Sequence, residues 1–75
     1  MTGLPTVKPK EVIKILKILG FYVHHQSGSH IVMRHMFDSS RRVTIPMHNK
    51  DMKKGTLHNI LKQAGISAEE FVENL

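Results

Sequence analysis

The sequence predicts an α+β fold of order α-β-β-β-α, closed by a short C-terminal helix. Three observations carry this. Apolar residues recur with helical period over Lys10 to Leu19 and again over Leu57 to Ala64. Between those stretches, three short runs alternate apolar and polar residues, as half-buried strands do. Glycine and serine separate the runs at turn-like positions.

Residues 1 to 8 show no period and read as a loose lead-in. Pro9 suits the first position of a helix, where its missing N–H costs nothing. Val12, Ile15, Leu16 and Leu19 then fall at i, i+3, i+4 and i+7, and Gly20 is a suitable terminator. Lys10, Lys14 and Lys17 lie together on the other side of this helix, as a solvated face does.

Phe21 to Gln26 is the first strand. Strict alternation sets Phe21, Val23 and His25 against Tyr22, His24 and Gln26. On that pattern His24 and His25 point to opposite faces and cannot share a site. Ser27-Gly28-Ser29 is a turn of hairpin length. His30 to Met36 follows, with Ile31 and Met33 facing one way and His30, Val32 and Arg34 the other. Phe37 to Arg41 is a polar connection. Arg42 to Pro46 is the third strand, with Val43 and Ile45 inward and Arg42 and Thr44 outward. Pro46 cannot donate to a ladder and marks a strand end or an edge.

Met47 to Lys54 is a polar loop carrying His48, Asn49, Lys50, Asp51, Lys53 and Lys54. The second helix holds Leu57, Ile60, Leu61 and Ala64 and stops at Gly65, with Asp51 or Thr56 as its N-cap. Ser67 and Glu70 form a capping-box signature for the last short helix. Two helices can cover one face of a three-stranded antiparallel meander and leave the other open. That is the layout of a double-stranded-RNA-binding domain.

Composition narrows the function. At 75 residues the chain is expected to form one small domain, spanning 1–75, with no room for a deep substrate cavity. With no cysteine, thiolate nucleophiles, disulfides and cysteine-based zinc sites are excluded. Neither a signal-type h-region nor a run long enough to span a membrane is present, so a cytoplasmic protein is expected. The balance of 11 Lys+Arg against 6 Asp+Glu gives a net charge of +5, which favours a polyanionic partner.

The first candidate site is Gly28-Ser29-His30. A hairpin shoulder beside glycine lets backbone approach a ligand closely. His30 points outward, with Arg34 beside it and Arg42 possible on the paired strand. An imidazole among arginines can move a proton on a phosphate-bearing substrate, although an exposed histidine without a role is the commoner case. His35, five residues on, falls on the opposite face. The second candidate is Lys50, Lys53 and Lys54 ahead of a helix. Lysines there oppose the macrodipole but would bind phosphate together with the free N–H groups. The alternative is a solvated lysine loop before a helix that starts at Thr56. Six histidines invite a metal, yet no H-E-x-x-H pair or other ligand spacing exists, and no metal or cofactor is expected.

Gly28-Ser29-His30, then Val43-Thr44-Ile45-Pro46 with His48, then Lys54-Gly55-Thr56-Leu57 and Ile60 to Ile66 together resemble the HicA toxins over about Lys8 to Val72. The resemblance implies a double-stranded-RNA-binding type of fold and metal-independent cleavage of mRNA, with the histidine of the Gly-Ser-His turn, His30, as the catalytic residue. It also implies a HicB-type antitoxin as partner. Where many relatives carry a second histidine or polar residue directly after the first, this chain has Ile31, so no role transfers to that position. A non-catalytic RNA-binding module, or a protein whose basic face docks an acidic partner, are the rival readings.

Overall fold

A computed structural model describes residues 4–48 and 50–75 of the chain. The elements run α1 (Pro9–Ile18), β1 (Phe21–Ser27), β2 (His30–His35), β3 (Arg42–Pro46), α2 (Lys54–Ala64) and α3 (Ala68–Glu73). The strands form one antiparallel sheet in the order β1-β2-β3. The predicted α+β order and the helix-covered meander are both present.

The core lies between one sheet face and the helices. Ile31, Met33, Val43 and Ile45 project from the sheet and meet Val12, Ile15 and Leu16 of α1 and Leu57, Ile60, Leu61 and Ala64 of α2. Burying side chains of this size stabilises by about 1.5–3 kcal/mol each before chain entropy is subtracted. None of the described helices covers the opposite face of the sheet.

α1 begins at Pro9 and is capped by the Glu11 carboxylate, which accepts from the Lys8 backbone N–H at 3.0 Å. Gly20, at φ +97°, turns the chain sharply into β1. α2 ends at Gly65, which adopts the left-handed conformation. In α3, the Ser67 hydroxyl accepts from the Glu70 backbone N–H at 3.0 Å, as the capping signature requires.

Several expectations need correction. The lead-in is not loose over its described part: Val7 is buried, and the Met52 N–H donates to the Val7 carbonyl at 2.7 Å. Met52 itself is 4% exposed, so the loop before α2 contributes to the core. Residues 1–3 and Asn49 lie outside the described residues. The N-cap of α2 is neither Asp51 nor Thr56 but Lys53, whose backbone is extended and whose carbonyl accepts from Leu57 N–H at 3.0 Å. Phe71, in the last short helix, is fully buried and anchors α3.

The β2–β3 connection also does more than join strands. The Nε–H of Arg41 donates to the Ala64 carbonyl at 2.7 Å, where the last turn of α2 has unpaired acceptors. The guanidinium also lies 5.4 Å from the centroid of the Phe21 ring. Arg41 therefore ties the sheet to the negative end of a helix. Arg41→Ala is expected to lower unfolding free energy by about 1.5–3 kcal/mol, the range for hydrogen bonds to charged groups, measured by urea denaturation.

Candidate nucleic-acid interface on the open sheet face

The sheet register decides which side chains share the open face. Cross-strand partners point the same way. Ile31 pairs with Ile45 and Met33 with Val43, all in the core. The intervening pairs, His30 with Pro46, Val32 with Thr44 and Arg34 with Arg42, must face away from it. The outward placing expected for His30, Arg34, Arg42 and Thr44 is what the register shows. Val32 is only 7% exposed despite facing outward, because it sits on the central strand with neighbours on both sides.

The hairpin turn between β1 and β2 consists of Gly28 and Ser29, flanked by the pair Ser27 and His30. Gly28 has φ +57°, and Ser29 does not share the left-handed conformation. A two-residue turn of this kind needs glycine at its first position. It sets His30 at the start of β2, exposed and at the rim of the open face.

β1 departs from strict alternation. Tyr22 pairs with Arg34 and Val23 with Met33, but the next partnership is His25 with Val32. His24 is the extra residue of a bulge, which changes which face the following residues take. His25 thus joins Tyr22 on the open side. The Nδ1 atoms of His24 and His25 lie 2.9 Å apart, and the rings meet edge to face with centroids 5.1 Å apart. The expectation that these two rings cannot share a site is therefore wrong. A bulge leaves little trace in a sequence; the consecutive histidines were the only signal available.

His24 is held below the ordinary imidazole pKa. The sheet face removes part of its hydration, and Arg34, His25 and Arg42 add positive potential. The buried Nε of Arg34 has no hydrogen-bond partner among the described residues. No aspartate or glutamate occurs in any of the three strands.

The lysine segment follows β3 and leads into α2. The Met47 N–H donates to the Ser29 carbonyl, fastening the hairpin turn to the chain that leaves β3. A groove of about 560 Å³ follows, with Pro46, His48, Lys50 and Lys53 among its walls. Pro46 is the cross-strand partner of His30, so the groove adjoins the hairpin end of the open face. Lys53 and Lys54 occupy the N-cap and first position of α2, whose first turn has no acidic residue. The helix therefore starts at the lysines and not at Thr56.

His35 is placed apart from these groups. It packs edge-on against Phe21 at 5.1 Å, accepts from the Phe37 N–H through Nδ1 at 3.2 Å, and leaves no space for a side chain at Gly20. Among the described residues, no cluster of three or more His, Asp or Glu is arranged to hold a metal ion. No described helix is long and apolar enough to cross a membrane.

The order of elements and the helix-covered antiparallel sheet define a small α+β protein of the double-stranded-RNA-binding-domain type. A family model described as HicA toxin of bacterial toxin-antitoxin matches residues 9–66, most of the chain, and the protein belongs to that family. No curated protein matches the sequence.

The lowered pKa of His24 has a definite sign. A ring kept neutral in the fold but free to charge when unfolded opposes folding as the pH falls through the ordinary imidazole range. In an NMR titration His24 is expected to protonate at lower pH than a free imidazole. Arg34→Gln is expected to move its midpoint upward.

Proposed function

We propose that the protein is the toxin of a type II toxin-antitoxin pair, a cytoplasmic endoribonuclease that cleaves mRNA through His30 and is neutralised by a HicB-like antitoxin. The observation that carries this reading is the composition of the open face. His30, Arg34 and Arg42 share it, the strands supply no carboxylate, and the turn that presents His30 is bonded to the segment leading to Lys50, Lys53 and Lys54. Membership of the HicA toxin family supports the same reading.

The chemistry needs little apparatus. The 2′-hydroxyl of one nucleotide attacks the adjacent phosphorus, and the 5′-oxygen of the next nucleotide leaves. A base must take the first proton, an acid must supply the second, and cations must offset charge on the phosphoryl oxygens. His30 is a proton-transfer group. Arg34 and Arg42 present forked donors suited to phosphate, and Gly28 with Ser29 allows the backbone to lie close to the strand being cut. Lys50, Lys53 and Lys54, with the free N–H groups of α2, hold phosphates further along the RNA.

His30→Ala is expected to fold as the parent does, since the side chain is exposed, but to be harmless on overexpression. A variant that still arrests growth would show the assignment to be wrong. Incubation of purified protein with mRNA separates this reading from a non-catalytic RNA-binding module, which would bind and leave the RNA intact.

The lysines have a separate signature. Replacing Lys50, Lys53 and Lys54 together by Gln is expected to weaken RNA binding and flatten its salt dependence. The log–log slope is expected to fall by about 0.7–0.9 for each phosphate that is no longer neutralised, measured by titration at several salt concentrations. An unchanged slope would remove these residues from the interface.

A further inference from the structure

We propose that the His24–His25 pair is the general base of this cleavage, and that His30 is the acid that returns a proton to the leaving oxygen. The proposal rests on the endonuclease reading above and assigns a second proton-transfer group to the same site.

The bulge in β1 supplies the geometry. It brings the Nδ1 atoms of His24 and His25 to 2.9 Å, so one ring donates and the other accepts. In the neutral pair, the donor ring has a bare Nε2 and the acceptor ring carries its hydrogen on Nε2. The bare Nε2 can take a proton. Its ring then becomes an imidazolium whose Nδ1–H is already hydrogen-bonded to the neighbouring ring. That bond orients the base and shares the new charge, much as a carboxylate does behind a histidine in other enzymes.

Position and electrostatics agree. His25 pairs with Val32, two residues from His30, which makes His25 and His30 diagonal neighbours on the open face. Sheet geometry separates such positions by about 7–8 Å, so long side chains can approach one phosphodiester from two sides. Besides the pair itself, the charged and titratable groups that the described strands place on this face are Arg34, Arg42, His30 and Tyr22. Beside the loss of hydration, which weighs most, the arginines disfavour an extra proton on His24. They also lie where the phosphoryl oxygens gain charge.

The step balances. The 2′-hydroxyl proton passes to the bare Nε2 as the O2′–P bond forms. The P–O5′ bond breaks as His30 gives its proton to O5′. The products are a 2′,3′-cyclic phosphate and a 5′-hydroxyl, and a proton exchanged with water resets the site. No oxidant, metal or cofactor enters.

The test uses the full chain with two RNA oligonucleotides. One is ordinary, and the other carries sulfur in place of the bridging 5′-oxygen, a leaving group that needs no acid. His24→Asn and His25→Asn are each expected to cleave ordinary RNA more slowly. The double variant is expected to lose about 100-fold or more, the usual contribution of a general base, while still binding RNA and melting like the parent. The sulfur substrate is expected to restore cleavage to His30→Ala but not to the pair variants. Either single variant cleaving at the parental rate overturns the proposal, and so does rescue of the pair variants by sulfur. A parent protein that leaves both RNAs intact overturns the endonuclease reading itself, and the proposal with it.

Discussion

Met33 sits at the middle of the sheet, between Val23 on one side and Val43 on the other, and is fully buried. Its place under the helices decides the face of every other residue on β2. Side chains on a strand alternate, so a slip of one residue would exchange the two faces. Ile31 and Met33 would then meet water, and His30 and Arg34 would enter an apolar core without partners. Both errors are costly, and the desolvation of an arginine is the larger. The open face is thus fixed from the inside: the core holds the register, and the register aligns the polar side chains.

The bulge in β1 is the exception, and it falls where an exception costs least. Beyond Phe21 this edge strand is exposed on both sides, with Val23 40% exposed and Gln26 in solvent. An extra residue there misplaces no buried side chain. The same insertion in β2 would turn Ile31 and Met33 out of the core. A sheet whose central strand is constrained by packing can vary its edge, and here the edge adds two imidazoles to the polar face.

The face is also electrostatically one-sided. Arg34 and Arg42 are direct cross-strand partners, an arrangement that destabilises a sheet by like-charge repulsion. His24 lies in their field, and none of the strands supplies a carboxylate to offset it. Asp38 does not serve: its carboxylate accepts from the Ser40 hydroxyl and backbone N–H, which hold its pKa below the ordinary range. Local rules broken in this way are characteristic of binding surfaces, and a polyphosphate chain laid across the sheet would supply the missing negative charge.

Much of the fold was legible in the sequence, because periodicity reports directly which residues meet water. The spacing of Val12, Ile15, Leu16 and Leu57, Ile60, Leu61, the turn glycines, and the alternation around Met33 and Val43 determined the element order and the open face. His30, Arg34 and Arg42 could be assigned to that face for the same reason. What escaped the sequence depended on partners distant along the chain. Val7, Met52 and Phe71 enter the core without any local period, and Arg41 finds its acceptor on Ala64, 23 residues away. The pairing of His24 with His25 lay hidden because alternation assumes an unbroken ladder. Only the tertiary structure decided where the ladder breaks: at an uncovered edge, where nothing buried opposes it.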